Sequence, residues 1–237
     1  MADVLSDEHD RWTAFVRALR RGDVVEDREF NEIYPREIRR KAERHWTPVS
    51  VARRAAELLA IRGTRILDVG AGVGKFCMIA GLTTKCEIVG VEQRPHLLSI
   101  AKDCAERLRI PRTEFICANA FSLDWSDFDA FYLFNPFVEH VIGVEHVIDE
   151  NLIRDPLLYR SYIEQTQSQL LCAREGTSVV TYHGFGGRLP SCYRCFHQET
   201  VGTDELELWV KQSTVMFVPS SGKQRGDASR EWSCCRA

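Results

Sequence analysis

RILDVGAGVGKF, Arg65 to Phe76, decides how the rest of the chain is read. An aliphatic run ends in Asp68, then Gly70, Gly72 and Gly74 follow with single residues between them, and Lys75 comes next. An apolar run, closely spaced glycines and then a helical pattern mark a strand that turns tightly into a helix beside a ligand. The identity of that ligand is the first question.

A phosphate-binding P-loop needs G-x-x-x-x-G-K-[ST], because backbone amides wrap the phosphates and the hydroxyl holds magnesium. Here the residue five before Gly74 is Val69 and the residue after Lys75 is Phe76, so the first glycine and the hydroxyl are both missing. A dinucleotide fingerprint, G-x-G-x-x-G, would put its third glycine where Lys75 stands. Glu92, at the end of the next apolar run, suits a ribose hydroxyl in any adenosine ligand and does not choose among them. The discriminators are the G-x-G-x-G spacing and the acid before it. A carboxylate suits a cationic ligand better than it suits a pyrophosphate. Lys75 is then not needed on a phosphate, and its ammonium is expected to be solvated on the first helical turn.

Outward from this stretch, short apolar runs alternate with helical ones. Arg65–Val69 reads as strand, 75–82 as helix, Glu87–Glu92 as strand and 95–108 as helix. Strands are expected at 114–118, Ala130–Phe134 and Ser178–Tyr182, with a long helix over 157–174. Continuous apolar strands separated by helices argue a parallel sheet covered on both faces. CYRCFHQET and ELELWVKQS alternate apolar and polar residues around Gly202-Thr203-Asp204, which reads as an antiparallel hairpin. Before the core, 7–60 is helical in pattern; Thr47-Pro48 is suited to open the last of these helices and Gly63 to close it. The expected fold is therefore α/β, a doubly wound, mostly parallel seven-stranded sheet with a C-terminal antiparallel hairpin and an N-terminal helical cap. At 237 residues there is room for one such core with decoration.

Composition narrows the partners. A formal charge of -3 makes no general case for nucleic acid or an anionic membrane, so nucleic acid is not favoured. Arg36, Arg39, Arg40, Lys41, Arg44, Arg53 and Arg54 crowd one segment and read as a solvated helix face, with an anionic-substrate patch as the alternative. MADVLSDEHDRW has acids where a secretory signal has basic residues, and no run approaches the ~20 apolar residues of a membrane span. Nine cysteines, mostly in apolar segments, read as reduced and buried thiols, so the expected location is the cytoplasm. Cys192-x-x-Cys195, with His197 and the adjacent Cys234-Cys235, lacks the two spaced pairs of a thiolate zinc site. Both Cys192 and Cys195 fall in an expected strand, where positions three apart face opposite sides, and no metal is expected.

Taken together, LDVGAGVG, VGVEQ, ICANAF and LFNPF resemble the successive motifs of the class I, Rossmann-like S-adenosylmethionine-dependent methyltransferases. The resemblance is close over 65–137 and looser to about residue 213. It implies S-adenosyl-L-methionine as cofactor, with Asp68, Gly70, Gly72 and Gly74 at its methionine half. Glu92 and Gln93 would lie at the ribose, Asn119 and Ala120 at the adenine, and Thr47 and Asn135 close to the cofactor. Asn135, Pro136 and Phe137 stand where these enzymes contact the group to be methylated. The segment is similar to the [Asp/Asn]-Pro-Pro-[Tyr/Phe] of nitrogen methyltransferases but has one proline, leaving a simple turn as the alternative. DVGAGVGKF and IVGVEQ also resemble the nucleosomal lysine methyltransferases that lack a SET domain, without carrying over a substrate. His183, in VVTYHGFGG, is a candidate proton acceptor, as is Tyr182; a histidine satisfied by loop backbone is the alternative.

The implied organisation is a helical cap or lid over 1–60 with Trp46 and Thr47 near the cofactor, a methyltransferase core over 61–218 and a disordered tail over 219–237. The implied function is methyl transfer to an acceptor of unstated class, nitrogen somewhat favoured. An NAD-type oxidoreductase is disfavoured by Lys75 and by the lack of a second catalytic domain. A non-catalytic adenosine-binding scaffold is disfavoured by intact Asp68, Glu92 and Asn119.

Overall fold

The computed structural model describes residues 2–60, 64–143, 148–149 and 153–213. Gly63, Cys234, Cys235 and the 219–237 tail lie outside the described residues. Seven strands form one sheet in the order β3-β2-β1-β4-β5-β7-β6. These are β1 (Arg65–Val69), β2 (Glu87–Glu92), β3 (Thr113–Cys117), β4 (Ala130–Phe134), β5 (Ser178–Tyr182), β6 (Tyr193–Val201) and β7 (Asp204–Lys211). The first five run parallel, while β7 pairs antiparallel with both β5 and β6. Chain order reverses between β1 and its neighbours β2 and β4, and that switch point is where ligands enter a doubly wound sheet.

Side-chain alternation along the strands divides the core. Ile66, Ile88, Tyr132 and Val180 face one layer, made by α1 (Ala2–Arg21), α5 (Val49–Leu59), α6 (Lys75–Thr83) and α7 (Pro95–Arg107). Leu67, Val69, Val89, Val91 and Leu133 face the other, where α8 (Pro156–Cys172) packs with Trp125 and Phe137. The helices start where local chemistry lets them. Asp155 accepts the Leu157 N–H at 2.8 Å ahead of Pro156, and Pro95 opens α7.

Several expectations are corrected. The third strand begins at Thr113, and the long helix spans Pro156 to Cys172 instead of running to Arg174. The N-terminal helical region is broken, with α2 (Asp27–Asn31), α3 (Arg36–Arg39) and α4 (Ala42–His45) between α1 and α5. Thr47 does not cap α5: its hydroxyl bonds the Tyr132 hydroxyl at 3.0 Å, and Asp27 accepts the Val49 N–H from 22 residues upstream at 3.0 Å. Lys75 is not solvated. It is 2 % exposed, its ammonium bonded to Asp27 and Asn31 and 5.3 Å from the centre of the Phe30 ring. Burial pushes its pKa down and Asp27 opposes the fall. Cys192 sits just before β6 instead of within it, and Cys117 and Cys172 are exposed. Among the described residues no three side chains form a metal-binding cluster, and no helix is long and apolar enough to cross a membrane.

Candidate functional site

Five loops meet at the carboxyl ends of β1 to β5. Gly70, Gly72 and Gly74 all take positive φ, 78°, 55° and 74°, a conformation costly for residues with a side chain. Close approach restricts two of them further. A Cβ on Gly70 would sit 3.1 Å from Pro136, and one on Gly72 would sit 3.2 Å from the Trp46 indole nitrogen. The loop's amides are already assigned: those of Gly70 and Ala71 donate to the Val91 carbonyl at 3.0 and 2.9 Å, and that of Gly72 donates to Glu92 at 3.0 Å. An amide cradle for phosphate is therefore not what this turn offers.

Glu92 is 3 % exposed and accepts four bonds. Besides Gly72, the Arg94 amide and guanidinium donate to it at 2.9 to 3.1 Å, and the guanidinium also reaches Glu139 at 2.7 Å. Glu139 in turn accepts the Ile148 N–H at 2.8 Å. Arg94 thus stands across the cleft and lines the cavity on either side of it. On one side, Glu92, Gln93, Asn119, Ala120 and Phe121 surround a narrow slot floored by Tyr162. Asn119 accepts the Phe121 N–H at 2.9 Å and donates to the Tyr162 hydroxyl at 3.2 Å, which fixes its amide plane.

The other side is a cavity of about 250 Å³ lined by Trp46, Gly70, Gly72, Asn135, Pro136 and His183, among others. Asn135 has φ 42° and His183 has φ 56°; both are held left-handed at the ends of neighbouring strands, and the Asn135 N–H bonds the Gly184 carbonyl at 2.8 Å. The Trp46 indole N–H is buried with no hydrogen-bond partner among the described residues, an orphan donor at the edge of a polar cavity.

Of the residues singled out from sequence, Gly70, Gly72, Glu92, Gln93, Asn119, Ala120, Asn135, Pro136, Phe137 and His183 line this divided cleft. Three do not. Gly74 shapes the turn and packs on Phe115, and Thr47 is 4 % exposed with its hydroxyl on Tyr132, while its neighbour Trp46 is the residue that reaches the cavity. Asp68 points to the α6 face, where the Cys77 thiol donates to it at 3.1 Å. Burial pushes its pKa from 3.8 up to about 7, with the Glu92 charge adding to the rise and the thiol bond opposing it. Arg94, Glu139 and Tyr162 were not found from sequence. Arg94 lies two residues past Glu92, but nothing local shows that its side chain folds back.

The reversal of strand order, the three left-handed glycines and the buried acid after β2 define a class of fold: a doubly wound, Rossmann-like sheet with a ligand cleft at its switch point. Residues 61–172 match the family model described as "Methyltransferase domain". No curated protein matches the chain in sequence. Among solved structures, an RNA methyltransferase from Salinibacter ruber in complex with S-adenosyl-L-homocysteine is 20 % identical with a TM-score of 0.51, covering 76 % of this chain and 99 % of its own. TrmN from Thermus thermophilus is 16 % identical with a TM-score of 0.52, covering 74 % of this chain and 52 % of its own. At such identities the likeness is one of fold.

Proposed function

We propose that the protein transfers the methyl group of S-adenosyl-L-methionine to a nitrogen atom, and that the cofactor lies across the two halves of the cleft. The residues present fit that ligand. Glu92 suits the ribose hydroxyls, and Asn119 with Phe121 and Tyr162 suits the adenine. The orphan Trp46 N–H suits the methionine carboxylate, since a buried donor without a partner costs about 1–3 kcal/mol until something accepts from it. When bound, the cofactor supplies an electrophilic methyl on a sulfonium cation.

The observation that carries the nitrogen reading is Asn135. Its side chain has no hydrogen-bond partner among the described residues, and its left-handed backbone is held by Gly184 at the mouth of the cavity. A free amide oxygen there can accept an N–H and turn the nitrogen lone pair toward the methyl group. Pro136, packed against Gly70, fixes the reach of that side chain. Orientation of this kind is the main demand of an in-line displacement, and misplacement by about 1 Å costs on the order of a hundredfold in rate. The helical segment that carries His45 and Trp46 forms one wall, consistent with the 1–60 region serving as a lid.

The test is transfer of labelled methyl from the cofactor to fractionated protein, nucleic acid and small-molecule pools, with the methylated atom identified. N-methyl product in one pool, lost in Asn135→Ala while S-adenosyl-L-homocysteine still binds, is the expected result. O-methyl product, or full activity of Asn135→Ala, would refute the nitrogen reading.

A further inference from the structure

His183 is held more firmly than a loop histidine needs to be. Its Nδ1 is paired with Asp204 Oδ2, and the other Asp204 oxygen accepts the Glu205 N–H at 2.7 Å, so the carboxylate is pinned on both sides. Asp204 opens β7, the strand that lies antiparallel beside β5. The imidazole is flanked by Tyr182, 4.5 Å away and inclined at 66°, and by Phe134, 5.4 Å away at 32°. Left-handed backbone is costly at a non-glycine residue, and such strain persists where surrounding contacts over-determine it. Here two such residues, His183 and Asn135, border one cavity and their loops are bonded to each other.

The pairing has a chemical consequence. A carboxylate on Nδ1 keeps the proton there and leaves Nε2 with a lone pair, the nitrogen available to a ligand in the cavity that His183 lines. Building on methyl transfer to nitrogen as the reaction, we propose that His183 and Asp204 form a proton-accepting dyad and that the acceptor is an amine entering as its ammonium ion. His183 is the base and Asp204 a positioning residue. An alkyl amine with a pKa near 10.4 is less than about one part in a thousand neutral at pH 7, so its proton must leave before the lone pair exists. The ammonium proton passes to His183 Nε2 while Asn135 accepts a second N–H. The freed lone pair then forms the N–C bond as the C–S bond breaks and its electron pair stays on sulfur. His183 returns its proton to solvent, leaving the methylated amine as its ammonium ion and neutral-sulfur S-adenosyl-L-homocysteine.

Other titratable and charged groups at this cavity are His45, Glu139 and Arg94, with Glu139 and Arg94 neutralising one another. Tyr182 faces the ring but is committed elsewhere, its hydroxyl donating to the Val201 carbonyl at 2.9 Å.

The dyad is read directly by nitrogen NMR of the imidazole in the full chain. Wild type should show the proton on Nδ1, and Asp204→Asn should move it to Nε2, because an amide can donate to Nδ1 where a carboxylate cannot. In methyl transfer to amine-bearing acceptors, Asp204→Asn and His183→Asn should lower kcat at pH 7 by about a hundredfold, the usual worth of a general base. The loss should shrink at alkaline pH, where the amine is already neutral, with S-adenosyl-L-homocysteine affinity unchanged throughout. Wild-type His183 carrying its proton on Nε2, or Asp204→Asn within twofold of wild-type kcat at pH 7, would overturn the dyad. Failure of wild type to bind S-adenosyl-L-homocysteine would instead overturn the methyltransferase reading.

Discussion

Asp68→Asn should reverse sign across the pH scale. In the fold Asp68 is 4 % exposed and its carboxyl is pushed from 3.8 up to about 7, first by burial and then by the Glu92 charge. The folded state therefore holds a proton that the unfolded chain has released. Stability from this group is complete below about pH 4 and is lost as pH climbs to about 7, above which the deficit stays constant. At roughly 1.4 kcal/mol per tenfold change, the rise corresponds to a deficit of about 4 kcal/mol at pH 8. Asparagine carries no such charge and its oxygen can still accept from the Cys77 thiol, but it buries an amide N–H pair at a cost of about 1–3 kcal/mol. The variant should thus be less stable than wild type near pH 4 by about 1–3 kcal/mol and more stable near pH 8 by a similar amount. For a chain of this length each kcal/mol moves Tm by about 2–4 °C. Thermal and urea unfolding of both proteins without cofactor, from pH 4 to 8, measures the difference. Parallel stability curves, with a gap independent of pH, would refute a raised Asp68 pKa and the burial argument behind it.

Arg94→Ala should tighten S-adenosyl-L-homocysteine binding by up to about tenfold, equivalent to about 1.4 kcal/mol, because all four acceptor positions of Glu92 are taken and the guanidinium is the movable donor. Titration calorimetry decides it, and weaker binding would make Arg94 a ligand instead of a competitor. Gly74→Ala should cost about 2–4 kcal/mol in urea unfolding, since its φ is 74° and an added Cβ would lie 2.6 Å from the Phe115 ring. An unchanged midpoint would show that the turn relaxes freely. Thr47→Val should cost about 1–3 kcal/mol by stranding the Tyr132 hydroxyl, and adding Tyr132→Phe should recover most of it. Cofactor affinity should not change in either, as Thr47 bonds Tyr132 and does not line the cleft; a large loss would place Thr47 in the site.

What sequence made legible is what depends on near neighbours. β1, β2, β4 and β5 are bounded as their apolar runs suggest, because strands buried on both faces read as near-continuous hydrophobic runs. The hairpin was legible from its alternation, since one of its faces is solvated. The glycine turn was legible because left-handed backbone demands that residue type. Lys75 shows the opposite case. Its helix is apolar on every side, and its ammonium is satisfied by Asp27 and Asn31, more than forty residues away in sequence. Local reading sends such a charge to water; only the packing of α2 against the start of α6 supplies the alternative.

The same division runs through the cleft. Residues that touch a ligand follow strand ends and recur at the pace of the βα units, so Glu92, Asn119, Asn135 and His183 could be nominated one by one. The groups that set what those residues do arrive from elsewhere: Trp46 from the helical region before the sheet, and Asp204 from a strand that reverses beside β5. A sequence motif can place an imidazole at a strand end, but its tautomer depends on which side chain the antiparallel hairpin delivers to Nδ1. The β5–β7 pairing is therefore as much a part of the proposed chemistry as the glycine loop. A change that shifted the hairpin register by one residue would turn Asp204 to the other face while leaving every motif of the parallel core intact.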